Sequence, residues 1–259
     1  MKSEEKIKSL MLLLIYTGRL MLKSGAETYR VEDTMKRMAM SRNIEQFDSF
    51  VTPTGLFISA SYKNDSFSYI RRIKKLSIDL QKVSEINEFS RLFVSSNMSI
   101  KDGFKTIKKI ETGLYYPKYL QRIGGGLGSA GFAILFGGNY IDFFPAFCAG
   151  FILLTFSHLT QKNNISILVN NILGGMVVTI ITLIFHFFYS DFNIAAIISG
   201  SIMPLAPGVA ITNAIRDFIY GDYLAGVSRA IEAIIIAIGI AFGVGIILNL
   251  SQFIGGLIQ

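Results

Sequence analysis

The sequence predicts an α+β cytosolic domain over residues 1–120, followed by an all-α polytopic membrane domain of five transmembrane helices over residues 121–259. Three observations lead there. Hydrophobic residues make up 51% of the 259 residues and charged ones only 17%, below the roughly 25% charge of a typical soluble domain. Charge is also divided unevenly: residues 1–122 carry 22 Lys/Arg against 13 Asp/Glu, and residues 123–259 carry 3 against 5, so +9 and −2 give the net +7. Finally, the long apolar runs all follow Arg122, whereas the first part alternates between helical and strand periods. A lone Cys148 excludes an internal disulfide framework and a cysteine zinc site.

The first apolar stretch, Leu10–Leu22, is broken by Thr17, Gly18 and Arg19 and is too short to span a bilayer. Glu4 and Glu5 precede it and no small-residue cleavage site follows, which argues against a signal peptide. Ile7, Leu10, Met11, Leu14 and Ile15 instead recur at the spacing of a core helix. Gly25 stops it, and a second helix covers about 27–40. Three short strands follow, 47–51, 56–62 and 66–73, separated by the turns Thr52-Pro53-Thr54-Gly55 and Lys63-Asn64-Asp65. Helices over about 77–94 and 99–111 complete the domain, the second with Ser99 as N-cap and Asp102 three residues on. The densest basic clusters, Arg71-Arg72-Lys74-Lys75 and Lys105-Lys108-Lys109, suit anionic lipid headgroups or a solvated face better than nucleic acid.

In the second part, five stretches read as spans: about 122–138, 141–159, 167–189, 192–211 and 230–253. The first is short and glycine-rich. Lys162, Arg216 and Arg229 fall in the connections that five spans would place on the side of the +9 domain. Asp142 and Asp191 fall in the others. Because Lys and Arg accumulate in cytoplasmic loops, the N-terminus is expected in the cytoplasm and the C-terminus outside. Gly124 with Gly128, and Gly239 with Gly243, have the GxxxG spacing of close helix packing.

The sharpest local feature is Met203-Pro204-Leu205-Ala206-Pro207-Gly208. Two prolines remove two backbone donors and clash with the preceding turn, so the fourth span is expected to break there. Broken helices at membrane depth line cavities, and the positive N-terminal end of a half-helix suits an anionic group such as a carboxylate. Asn213, Arg216 and Asp217 then share a helix face, and Arg229 and Glu232 are spaced to pair. These charges could steer an anionic substrate, or anchor the chain at the interface. Glu232, an acid one turn inside the fifth span, is a candidate for proton coupling. His158 and His186 are expected at opposite ends of the membrane region, which excludes a shared metal site. No metal site, cofactor site or catalytic nucleophile–base set is apparent. Gly124-Gly125-Gly126-Leu127-Gly128 has neither the strand before it nor the Lys after it that a phosphate loop needs.

Several of these pieces in order resemble the threonine/serine exporter family. They are Gly25-Ala26-Glu27-Thr28-Tyr29-Arg30-Val31-Glu32-Asp33-Thr34, Val51-Thr52-Pro53-Thr54-Gly55, Leu135-Phe136-Gly137-Gly138, Pro204-Leu205-Ala206-Pro207-Gly208 and Asn213-Ala214-Ile215-Arg216-Asp217, then Gly221-Asp222 and Arg229-Ala230-Ile231-Glu232-Ala233. The resemblance covers about Leu10 to Leu248. It implies export of a small carboxylate-bearing metabolite, either threonine and serine or a dicarboxylate such as succinate. Long members of the family resemble two fused halves. Short ones resemble the first half and work with a smaller membrane partner subunit, and this chain resembles the short form. Homo- or hetero-oligomers are compatible with that. The implied substrate pathway holds Pro204, Pro207, Gly208, Asn213, Arg216, Asp217 and Glu232. The N-domain signature holds Glu27, Arg30, Glu32, Asp33, Thr52, Pro53 and Thr54. Two rival expectations are a membrane-anchored enzyme acting through the first domain and a structural subunit that carries no substrate.

Overall fold

The computed structural model describes residues 2–44, 46–62, 65–73, 76–113, 116–162 and 165–258, excepting the side chains of residues 2, 3, 161, 162 and 254–258. The expected Lys63-Asn64 turn and the basic pair Lys74-Lys75 lie outside the described residues, as does the side chain of Lys162. The chain divides into two compact units, Met1–Tyr115 with Val209–Ile231, and Tyr116–Gly208 with Glu232–Gln259. Residues 209–231 therefore group with the N-terminal residues, across the boundary expected at residue 120.

In the first unit, α1 (Lys2–Lys23) buries Ile7, Leu10, Met11, Leu14 and Ile15 as its spacing predicts. Helix α2 (Thr28–Met40) turns Val31, Met35, Met38 and Ala39 inward, all fully buried. Strands β1 (Gln46–Thr52), β2 (Gly55–Tyr62) and β3 (Asp65–Arg72) form an antiparallel meander, with Phe47 opposite Ala60 and Ala60 opposite Phe67. In β2, Leu56, Ile58 and Ala60 point into the core. The outer face keeps an apolar row exposed, Phe50, Phe57 and Ile70, in register across the three strands. Helix α3 (Leu80–Ser95) is capped by Asp79, which accepts the Lys82 N–H, and packs Val83, Ile86, Phe89 and Phe93 into the same core. Helix α4 (Ile100–Thr112) starts at the expected Ser99 cap, whose Oγ accepts the Asp102 N–H. Each fully buried Leu or Met contributes about 1.5–3 kcal/mol, so this continuous core holds the unit together.

The second unit contains α5 (Lys118–Leu135), α6 (Phe143–Lys162), α7 (Ile167–Phe188) and α8 (Ile194–Ser201). Its cores are built from small and branched residues: Ala130, Ala133, Ala146 and Ile197 in one, and Leu153, Val178 and Ile198 in the other. Asp142, expected in an exposed connection, is fully buried; it accepts the backbone N–H groups of Asn139 and Asn193 and so ties the start of α6 to the start of α8. Gly125 and Gly126 of α5 pack on α6, and Gly239 and Gly243 pack on α7. Gly124 and Gly128 face open space instead, so the first expected GxxxG pair packs on nothing among the described residues. Helix α9 (Gly208–Ile219) and α10 (Tyr223–Ile258) complete the chain.

The expected fold class needs correction. The chain is 74% helical with one small sheet. Three helical segments are long and apolar enough to cross a membrane, Tyr140–Thr160, Ile167–Phe188 and Tyr223–Phe253. A fourth crossing exists only if Ile194–Leu205 and Gly208–Ile219, a bent pair, count as one span. The five transmembrane helices are not found among the described residues, because the stretch 122–138 falls mostly in α5, which ends at Leu135. Its 18 residues include Lys118, Gln121, Arg122 and five glycines, which keep it below the hydropathy of a span. The parity of the crossings changes between three and four, so the external C-terminus expected from five spans no longer follows. A cytosolic location of the first unit is likewise not established by the fold.

Candidate functional site

The buried charges of the first unit converge where the α1–α2 connection meets residues 209–231. The cause begins in the backbone. Helix α1 ends at Lys23, and Gly25 adopts φ +94°, a conformation that L side chains rarely take. The carbonyls of Gly25 and Ala26 thus fall between two helices, outside either ladder, and buried carbonyls need donors. Asn213 Nδ2 donates to Gly25 O at 3.0 Å and Arg229 Nη2 to Ala26 O at 3.0 Å. The backbone of this loop is therefore completed by side chains nearly two hundred residues away.

Helix α2 also lacks a local cap: Glu27, at its N-cap, makes no capping hydrogen bond. Asp217 of α9 supplies the negative charge instead. Thr28, the first residue of α2, has its hydroxyl 2.7 Å from Asp217 Oδ1 and 3.0 Å from Asp222 Oδ2. A hydroxyl carries one proton and donates to one carboxylate at a time, so Thr28 is shared between the two acids. The acids are brought together by Gly221, whose φ of +85° turns the chain so that the Asp222 N–H reaches Asp217 O at 2.8 Å. On its other side Asp217 faces Arg229, with Oδ2 and Nε 3.0 Å apart and the side chains 0% and 4% exposed. Attraction in such a place offsets the desolvation of both charges only while both partners remain.

Nearer the surface, the buried Glu27 carboxylate is gripped from two sides. Arg30 Nε lies 3.0 Å from Oε2, and Arg216 Nη1 contacts Oε1. Two guanidinium groups on one carboxylate leave one positive charge uncompensated, and both arginines are partly open to solvent. Hydrogen bonding to Tyr29, the largest effect, holds Arg30 further toward its charged form, and Glu27 adds to it. Tyr29 itself stacks on Tyr220, with ring centroids 3.9 Å apart and planes at 21°. Glu32 is half-buried and accepts the Val51 N–H at 2.8 Å. Burial pushes its carboxyl up to about 7 from an ordinary 4.5, with the nearby Asp222 charge acting in the same direction against the Val51 bond.

The structure thus brings together Glu27, Arg30, Asn213, Arg216 and Asp217 from the expected residues, with Glu32 alongside. The others lie apart. Asp33 pairs with Arg37 on the exposed face of α2. Thr52, Pro53 and Thr54 form the β1–β2 turn, in which Thr52 Oγ1 donates to Gly55 O. Pro204 sits in a 3-10 turn, Met203–Leu205, Pro207 in the break after it, and Gly208 at the first turn of α9. Glu232 belongs to the second unit, and Arg229 pairs with Asp217 rather than with it. Sequence reasoning undervalued Thr28, Asp222, Tyr29 and Tyr220. Arg229 read better as an interface anchor. The signal for them was present only as the Gly221-Asp222 pair and the acid–base content of 213–229.

A chain with three or four candidate membrane spans, one of them broken at prolines, is an integral membrane protein. It belongs to the threonine/serine exporter family, whose model matches residues 12–251. The members are transporters, not enzymes, which removes the membrane-anchored enzyme from consideration. The chain is 20% identical over 235 residues to a protein of Mycobacterium tuberculosis named as a probable threonine/serine exporter, covering 90% of this chain and 44% of that one. It is 23% identical to the probable succinate transporter subunit YjjP of Escherichia coli, over 93% of this chain and 94% of that one. A threonine/serine exporter of Corynebacterium glutamicum is 22% identical over 70% of this chain and 38% of its own length. The chain therefore spans less than half of two of these relatives and nearly all of the third. No solved structure matches it.

Proposed function

We propose that this chain is one subunit of an exporter for small carboxylate-bearing metabolites, working with a second, smaller membrane subunit. The observation that carries the substrate class is the Arg30–Glu27–Arg216 arrangement. Its surplus positive charge is partly exposed, and guanidinium groups bind carboxylates in a planar, two-pronged way. The Thr28–Asp217 contact ties α2 to α9, and the buried Asp217–Arg229 pair ties α9 to α10, which supports that arrangement. The near-complete overlap with a relative named as a transporter subunit, against partial overlap with longer exporters, supports the short form that corresponds to the first half of those longer chains. Threonine and serine, or a dicarboxylate such as succinate, fit this chemistry. We also infer from the Lys/Arg excess of residues 1–122 that the N-terminus is cytoplasmic.

The test is metabolite efflux from cells expressing this chain with a candidate second subunit. Arg216→Ala is expected to lower efflux about tenfold, the equivalent of one charge-assisted contact, with unchanged amounts in the membrane. Arg216→Lys should recover part of it. A subunit that only stabilises its partner would show normal efflux in both variants.

A further inference from the structure

Five arginines of the described chain are buried or half-buried: Arg19, Arg30, Arg42, Arg122 and Arg229. Four have an acid or carbonyl partner inside the protein. Arg19 pairs with Glu111, Arg30 with Glu27 and Arg229 with Asp217, while Arg42 donates to the carbonyls of Phe93, Ser96 and Met98. Arg122 differs. Its Nε is buried without a hydrogen-bond partner, as are those of Arg19 and Arg229, but among the described residues Arg122 has neither an ion pair nor a carbonyl partner. A half-buried guanidinium without an anion is unfavourable, so the place favours one.

The neighbourhood sharpens the requirement. Lys118, one turn before Arg122 on α5, and Arg122 itself both act electrostatically on His158 of α6. Gln121 fixes the ring: its Nε2 donates to Tyr116 O at 3.2 Å, so its Oε1 is the acceptor that meets His158 Nε2, also at 3.2 Å. Among the described residues no Asp or Glu pairs with Lys118 or Arg122, and the sequence contains none between Glu111 and Asp142 or between Asp142 and Asp191. Depth identifies the source of the anion. His158 lies two residues before the end of the candidate span Tyr140–Thr160. Tyr116 and Tyr119 beside the cluster are 58% and 62% exposed, followed along α5 by exposed Leu120, Ile123 and Leu127. Tyrosines give way to aliphatic residues where headgroups give way to hydrocarbon.

We propose that Lys118, Gln121, Arg122 and His158 form a binding site for the phosphate of an anionic phospholipid at one end of the α5–α6 pair. Arg122 supplies the planar donor fork and Lys118 a second charge. The site lies in the second unit, separate from the Arg30–Glu27–Arg216 cluster, and it stands whether or not that cluster binds substrate.

The experiment places the purified full-length protein in nanodiscs of phosphatidylcholine containing a minor fraction of phosphatidylglycerol, and measures by mass spectrometry the lipid retained on extraction. Wild type is expected to retain phosphatidylglycerol in preference to phosphatidylcholine. Lys118→Gln with Arg122→Gln should lose about tenfold of that preference. Arg122→Lys alone should retain most of it and reports that the fold survives. Lys101→Gln with Lys105→Gln, the same charge change on α4, should leave it intact. Equal retention of the two lipids by wild type, or equal loss in both double variants, overturns the proposal. So does inorganic phosphate that binds the protein and is not displaced by phosphatidylglycerol, since the site would then take a free anion.

Discussion

Asp217 does three jobs with one carboxylate: it accepts from Thr28, stands in for the missing cap of α2 and neutralises Arg229. Arg229→Met leaves that carboxylate buried and unpaired, which costs about 3–5 kcal/mol. The thermal midpoint in detergent is expected to fall sharply. Adding Asp217→Asn removes the stranded charge while keeping an acceptor for Thr28, so the double variant should be more stable than Arg229→Met alone. A double variant as unstable as the sum of the two single ones would show that the residues do not interact. Glu32 makes a prediction in pH. Its carboxyl is raised in the folded protein to about 7 from 4.5, so the folded state binds more protons than the unfolded one between those values. Stability from this group is greatest at low pH and declines as pH rises from about 4.5 to 7. Glu32→Gln keeps an acceptor for Val51 and should raise the thermal midpoint at pH 8 while changing it little near pH 4. A midpoint that rises equally at both pH values would contradict this origin. Of these residues, Asp217 was legible as a candidate from its place on one helix face with Asn213 and Arg216, and Glu32 from the charged run Glu27–Asp33 that the resemblance singles out. Their partners were not, since sequence separations of 12 to 189 residues carry no periodic signal.

At the scale of elements, the break at Met203–Gly208 was legible because proline acts through its own covalent geometry. The ring removes an N–H and fills the space of the preceding turn wherever it stands in a helix. Pro204→Ala together with Pro207→Ala restores both donors and favours one continuous helix through this stretch. Efflux is expected to fall while the amount of protein in the membrane stays normal. Normal efflux would mean that the break only accommodates neighbouring helices. Helix α5 shows the opposite case. Its apolar tendency suggested a span, yet its five glycines and its Lys118 and Arg122 place it below that class. Which glycines pack was equally hidden: Gly125 and Gly126 meet α6, whereas Gly124 and Gly128, with the recognisable spacing, meet nothing among the described residues. Spacing defines a helix face, and only the neighbour's position defines whether that face is used.

For the whole molecule, the charge asymmetry makes a prediction about sidedness. Lys101 is exposed on α4, and Cys148 is the chain's single cysteine. Lys101→Cys in a Cys148→Ala background should react with a membrane-impermeant maleimide in inverted vesicles and resist it in intact cells. Labelling in intact cells would reverse the inferred orientation. The sequence alone determined that the chain carries a mixed helix-and-strand N-terminal region, that apolar helices follow it, and that one of these is interrupted. Composition, period and proline act locally, so a linear string contains them. Tertiary structure alone decided that residues 209–231 join the N-terminal unit and that Asp217 caps a helix begun at Thr28. Those outcomes depend on which buried donor meets which buried acceptor, and desolvation makes that choice only after the chain has closed on itself.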